Sequence, residues 1–223
     1  MLRQPMRGEG MRTDRFAHER RLWAEGRAVA GLDEVGTGAW AGPVVAGCVM
    51  LSPEVARAAR GAAIDDSKRL TARRRVELAG WLREVATAWG LGWVAPGELV
   101  QLGIARGALL AMERALAAAE GRPDHLLVDA RSLPSFRGDQ TPLVGGDRLS
   151  ASIGAASILA KVARDAFMDD LGRQAPGYGF ERHKGYGTAE HRAAIERLGP
   201  CAAHRPAFLP TAARQLDLFR GGA

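Results

Sequence analysis

Apolar residues gather along this chain in two rhythms. Short runs bounded by glycine, proline or acid predict buried strands. One covers 28–34, with Val29-Ala30-Gly31-Leu32 leading into Asp33 and Glu34; the next is Val44-Val45-Ala46-Gly47-Cys48-Val49-Met50-Leu51. A third lies at 91–95, and a fourth is His125-Leu126-Leu127-Val128-Asp129-Ala130. A shorter candidate, Pro142-Leu143-Val144-Gly145, runs into Gly146-Asp147. Helical spacing marks much of the rest. Leu78, Leu82, Val85 and Trp89 recur on one face behind Thr71, whose hydroxyl suits an N-cap. Residues 104 to about 119 are rich in alanine and leucine and are stopped by Gly121 and Pro123. From Ser150 to about Leu171 the small apolar residues Ala155, Ala156, Ile158, Leu159, Ala160 and Val162 predict a buried helix that can pack closely on a sheet. Past Pro176 come a Gly/Tyr/His loop, a helix at about 189–198 and a proline-bearing tail.

The short glycine-bearing link between the first two strands predicts antiparallel pairing. Strands that bracket helices in this order predict an α/β fold with a mixed sheet. Ahead of it, Phe16, Leu22 and Trp23 are placed to dock a short helix onto the core.

Composition adds limits. With 223 residues, 47% hydrophobic and 25% charged, the chain fits one well-cored globular domain with a small appendage. No run approaches the ~18–20 apolar residues of a membrane span. The arginine-bearing start lacks the apolar segment of a secretory signal, and Met6 and Met11 leave the true start open. Cys48 and Cys201 have no paired metal spacing, so a reducing cytosol, and a cytoplasmic monomer, is the expectation. A net charge of +6 favours a polyanionic partner, most simply nucleic acid. Of the 31 basic residues only Lys68, Lys161 and Lys184 are lysines, which suggests sites where a compact ammonium works and a guanidinium does not.

The chemistry gathers around acids. Asp33-Glu34, Asp129 and Asp147 each end, or nearly end, an apolar segment. Neighbours on a strand point to opposite faces, so Asp33 and Glu34 can serve one site only if the strand stops at Glu34 and the chain bends at Gly36 and Gly38. Otherwise the pair is a charged turn. If the strands are neighbours, four carboxylates meet at one sheet edge and need cations between them. Hard oxygen ligands without histidine or thiolate favour Mg2+ or Mn2+. Two such ions roughly 3.5–4 Å apart form the clamp used for in-line phosphodiester hydrolysis.

With these motifs in order, the sequence resembles the type 2 ribonuclease H (ribonuclease HII) family from about Val29 to Pro210. Gly31–Gly38 nearly meets the family pattern Gly-x-Asp-Glu-x-Gly-Arg-Gly. Asp66-Ser67-Lys68-Arg69-Leu70, Val128-Asp129, Gly146-Asp147 and the Ala155 to Asp165 helix follow in sequence. Tyr178-Gly179-Phe180, His183-Lys184-Gly185-Tyr186-Gly187-Thr188 and His204-Arg205 complete the series.

The resemblance implies a ribonuclease H-like fold, with a mixed central sheet flanked by helices and a small C-terminal helical region. The expected division is an extension at 1–27, a catalytic domain at 28–172, a substrate-binding helical region at 173–210 and a tail at 211–223. It implies a metal-dependent endonuclease that cuts the RNA strand of RNA/DNA hybrids and cuts 5′ of ribonucleotides embedded in duplex DNA, leaving a 3′-hydroxyl and a 5′-phosphate. Asp33, Glu34, Asp129 and Asp147 carry over as the catalytic metal ligands for two ions. Asp165 is left out, as a mid-helix acid that pairs locally. Gly36, Gly38 and Tyr186 carry over as contacts to the ribonucleotide and the sugar after it, the 2′-hydroxyl being what distinguishes RNA. A core tyrosine is the other reading of Tyr186. Lys68 and Lys184 are expected at phosphates; Lys161, inside the buried helix, ranks lower.

Thr37 departs from the family, standing where an arginine is usual, so weaker binding or slower turnover is expected. Gly145 is a lesser departure. Near the C-terminus Gln215, Leu216, Leu218 and Phe219 resemble the short peptide by which bacterial repair proteins dock on the DNA sliding clamp; folding back on the domain is the alternative. Two other functions remain open at this point: a two-metal nuclease of the same fold acting on DNA structures, and a hybrid-binding protein with weakened catalysis.

Overall fold

The computed structural model describes residues 14–58, 64 and 70–209. A five-stranded sheet in the order β3-β2-β1-β4-β5 forms its centre. Strands β1 (Val29–Val35) and β2 (Val44–Met50) are antiparallel, as are β2 and β3 (Ala88–Val94). Strands β4 (His125–Asp129) and β5 (Asp139–Leu143) run parallel to each other, and β4 runs parallel to β1. Helices α1 (Ala17–Ala24), α2 (Pro53–Arg57), α3 (Ala72–Val85), α4 (Pro96–Leu102) and α5 (Ile104–Ala118) come before β4. After β5 follow α6 (Gly146–Leu149), α7 (Ala151–Gln174), α8 (Phe180–His183) and α9 (Ala189–Leu198).

Alternation along the strands divides the core between two faces. Ala30, Leu32, Ala46, Cys48, Leu126 and Val128 pack with Ala111, Met112 and Ala115 of α5. On the other face Val49 packs with Ala155, Ala156, Ile158 and Leu159 of α7. Both helices press onto backbone. A Cβ at Gly31 would fall 2.2 Å from the Ser152 carbonyl carbon, and one at Gly92 would fall 1.9 Å from the Ala111 carbonyl oxygen. The small residues of α7 therefore do what their pattern predicts: they let a helix lie against the sheet.

Most predicted elements appear close to their expected limits. Thr71 caps α3, its hydroxyl accepting from the Arg74 N–H at 3.2 Å. Phe16 and Leu22 are buried, which docks α1. Two expectations shift. Trp89 belongs to β3, because α3 stops at Val85 and the chain then alternates. The strand expected at 142–145 is β5 at Asp139–Leu143, a half-exposed edge whose polar residues hide it from an apolar scan; Gly145 turns left-handed at φ 68°. Proline is tolerated there because an edge strand need not donate on both sides. Helix α7 continues to Gln174, beyond the expected end near Leu171. No helix of the described residues is long and apolar enough to cross a membrane.

Candidate active site

The parallel pairing of β1 with β4 places the first acids. Leu32 lies opposite Val128, so Asp33 and Asp129 follow side by side at the strand ends, on the face covered by α7. Asp33 is 7% exposed, and Ser157 of α7 hydrogen-bonds its side chain. The Asp33 carboxyl is pushed up to about 8, chiefly by burial, with the Ser157 bond opposing and the charges of Glu34 and Asp129 assisting. Asp129 Oδ1 accepts the Gly146 N–H at 2.7 Å, which ties the end of β4 to the turn that carries Asp147. Asp147 is 6% exposed.

Glu34 reaches the same cleft by a different route. The strand does not stop at Glu34, as the convergence argument required; it runs through Val35, where Glu34 and Val35 pair with Ala46 and Val45 of β2. The pairing with β4 is already over at Leu32, so Glu34 stands where β1 has outrun one neighbour. Its Oε1 lies 3.5 Å from an Arg131 guanidinium nitrogen. The bend comes at Gly36, with φ 89°; Gly38 has no positive φ. Asp33, Glu34, Val35, Thr37, Asp129, Asp147, Ser157, Lys161 and Tyr186 line one cavity of about 470 Å³.

Among the described residues no three His, Cys, Asp or Glu side chains form a ready group around one ion. Mg2+ does not need one, since it commonly takes one or two carboxylates and completes its shell with water and substrate phosphate. A nearly fully buried carboxyl that resists ionisation beside two other acids is the observation that fits a divalent cation. The donor set, oxygen throughout, suits Mg2+ or Mn2+.

Two arginines to which sequence reasoning assigns no role shape the loop after Glu34. Arg164 of α7 donates to the carbonyls of Pro43 at 2.9 Å, Lys184 at 2.9 Å and Ala41 at 3.1 Å. Arg205 donates to Gly42 at 2.9 and 2.6 Å, to Gly36 at 2.7 Å and to Ala39 at 3.0 Å. Burial lowers both guanidiniums, Arg205 to about 10, which leaves it charged at neutral pH. A Cβ at Gly36 would sit 2.2 Å from Arg164 Nε, so the clamp requires glycine there. The available signal was an arginine inside an otherwise small and apolar helix.

Tyr186 is half-buried, with its ring 5.4 Å from the Arg164 guanidinium carbon and 5.9 Å from Lys161 Nζ. Lys161, ranked low from sequence, lines the cleft and pairs with Asp165 at 2.6 Å. That i,i+4 pair is the local pairing expected of Asp165, which also meets Arg75 of α3 at 3.5 Å. Lys184 pairs with Asp169 and is not among the cavity's lining residues. Thr37 lines the cavity, while a Cβ at Gly38 would have open space around it. Lys68 and the tail residues Gln215, Leu216, Leu218 and Phe219 lie outside the described residues.

Comparison with known proteins adds the following. A family model described as Ribonuclease HII matches residues 30–211. The Ribonuclease HII of Moorella thermoacetica is 50% identical over 194 residues, covering 86% of this chain and 92% of its own length. That of Halorhodospira halophila is 51% identical over 185 residues, covering 82% and 92%. Among solved structures, ribonuclease H2 from Pyrococcus horikoshii OT3 aligns with a TM-score of 0.69 at 22% identity, covering 87% of this chain and 99% of its own. Bst-RNase HIII in complex with Mn2+ aligns at 0.68 and 20% identity, covering 87% and 71%. The RNase HII of the PCNA complex from Archaeoglobus fulgidus aligns at 0.65 and 22%, covering 84% and 97%. These solved structures share the fold.

Proposed function

The chain belongs to the ribonuclease HII family and is an endonuclease of the ribonuclease H type, and on that premise we propose that it cuts the RNA strand of RNA/DNA hybrids and cuts 5′ of ribonucleotides embedded in duplex DNA. The products are a 3′-hydroxyl and a 5′-phosphate. Asp33, Glu34, Asp129 and Asp147 are the residues to hold two Mg2+ or Mn2+ ions. The carrying observation is that the ends of β1 and β4 and the turn after β5 deliver all of them to one cleft. That a fold neighbour is a Mn2+ complex supports the choice of ion.

When bound, such ions polarise a phosphodiester and raise the acidity of water beside it. The chain's own residues do the rest. Ser157 orients Asp33, and the Gly146 N–H orients Asp129. The backbone at Gly36, Thr37 and Gly38, held by Arg164 and Arg205, reads the 2′-hydroxyl without a side chain intervening, and the Tyr186 ring supports the following sugar. Lys161, at the cleft wall, offers an ammonium to a neighbouring phosphate; Lys68 and Lys184 are phosphate contacts further out. The enzyme acts in the cytosol as a monomer, and the tail residues Gln215, Leu216, Leu218 and Phe219 dock it on a sliding clamp. A fold neighbour solved in a PCNA complex supports that partner.

A set of duplexes differing by one 2′-hydroxyl tests the reading. Mg2+-dependent cleavage is expected only where a ribonucleotide is present, and Asp33→Asn should abolish it. Equal cleavage of the all-DNA duplex would replace the substrate assignment. Loss of Leu218 and Phe219 should remove clamp binding and leave hydrolysis of free oligonucleotides intact.

A further inference from the structure

Helix α1 lies ahead of the residues matched by the family model, yet it carries a buried acid that the reaction does not use. Glu19 is fully buried. Its Oε1 accepts the Ser150 hydroxyl at 2.6 Å and the Ser152 N–H at 2.8 Å, while Oε2 has no hydrogen-bond partner among the described residues. Both donors belong to the start of α7. A carboxylate is favoured there because unpaired N–H groups and the helix dipole present positive charge. Ser150 is at the same time the cap of α7, its hydroxyl accepting the Ile153 N–H at 3.2 Å. Two residues before α1, the Arg15 carbonyl takes the Ala151 N–H at 2.7 Å, and the Arg15 side chain donates to the Asp147 carbonyl.

The segment so held is the one that delivers Asp147. Helix α6 is a single turn, entered through a left-handed Gly145 and preceded by Val144, which is 86% exposed. Upstream, the polar anchor of this turn is the Gly146 N–H on Asp129, itself an acid of the site. Downstream, the anchor is Ser150, three residues after Asp147 and fastened to Glu19. The start of α7 in turn rests on Gly31, two residues before Asp33. Glu19 thus joins α1 to the point where the carriers of Asp33 and Asp147 meet.

We propose that Glu19 is a positioning residue for the metal site: through Ser150 and Ser152 it fixes the turn that presents Asp147. The inference rests on the metal role of Asp147. With Glu19 removed, the Asp147 turn loses the acid that fastens Ser150 and Ser152 and keeps the Gly146 N–H on Asp129 and the Arg15 contacts, so ion binding weakens while the fold persists.

Mn2+ binding to the full-length protein, measured by calorimetry and by the EPR signal of free Mn2+, compares wild type, Glu19→Ala and Asp147→Asn. Glu19→Ala should bind Mn2+ about tenfold more weakly, the scale typical of losing an outer-shell support. Its Mg2+ half-saturation for cleavage should rise in parallel, with kcat at saturating Mg2+ largely recovered. Ser150→Ala, which removes one link and leaves Glu19 in place, should show the same split in smaller measure, and serves alone if Glu19→Ala does not fold. Wild-type ion affinity in the folded variants, with only a lower melting temperature, overturns the proposal. Asp147→Asn binding Mn2+ like wild type would instead remove the metal assignment on which it stands.

Discussion

Asp33 concentrates the conflict on which this site is built. A buried carboxyl beside two other acids destabilises the metal-free fold, because the unfolded chain ionises it near 3.8 and the folded chain only near 8. Between those values the folded state binds the extra proton, so metal-free stability should fall as pH rises from about 4 to about 8. Asp33→Asn should flatten that slope and raise the metal-free melting temperature at pH 8, by about 2–4 °C for each kcal/mol relieved in a chain of this size. Thermal melts in chelator check both. The opposite sign is expected for catalysis, which the same substitution abolishes. Thr37 presents a simpler case. If it occupies the place of a phosphate-binding arginine, Thr37→Arg restores a charge-assisted bond of about 1.5–3 kcal/mol, and catalytic efficiency on a single-ribonucleotide duplex should rise about ten- to a hundredfold. Unchanged efficiency would show that backbone contacts alone carry recognition at this loop.

The elements after α7 are joined through histidines. His191 Nδ1 donates to the Tyr186 carbonyl at 2.9 Å, which leaves its Nε2 to accept from His204 Nε2 at 3.1 Å. His204 Nδ1 then accepts the Cys201 N–H at 2.9 Å. His183 stacks on His191 at 4.2 Å and takes the Gly185 N–H at 3.2 Å. One proton lies between His191 and His204, and a second would break the chain that carries the Tyr186 loop. Burial lowers His191 to about 4, the Tyr186 bond opposing and the neighbouring His183 and His204 assisting. Its contribution is therefore complete above about 6.5 and is lost as pH falls towards 4. Urea midpoints between pH 4 and 7 should drop steeply in wild type and weakly in His191→Gln. None of this was legible in the sequence, where His183 and His204 stood only as motif residues and His191 fell inside an expected helix. Legibility followed burial: β1, β2, β4, α5 and α7 announce themselves because their apolar residues are unbroken or periodic. The edge strand β5 does not. The place of Lys161 on the cleft wall was hidden too, since a residue within a buried helix reads as structural until the sheet opens a cleft beside it. Asp33, Asp129 and Asp147 were visible as acids closing apolar runs, but the register that sets Asp33 beside Asp129 is a long-range pairing that no local pattern contains.

Over the whole molecule, the excess of +6 makes substrate capture an electrostatic matter. KM for a hybrid duplex should rise steeply between 50 and 200 mM salt, and each lysine contact removed should reduce the slope of log K against log salt by about 0.9. Lys184→Glu gives the sharpest reading, because its ammonium is already engaged by Asp169; an unchanged slope would confine it to a structural part. The architecture also links distant parts of the chain. Arg205 reaches back 163 residues to bind Gly42, and the loop it shapes precedes nearly all the other machinery. During synthesis the acids of β1 leave the ribosome early, but the loop beside them cannot settle until position 205 has emerged. On the proposed roles, a nascent or prematurely terminated chain carries the acids of β1 without the shaped loop beside them, and the cell meets the working enzyme only as a finished product.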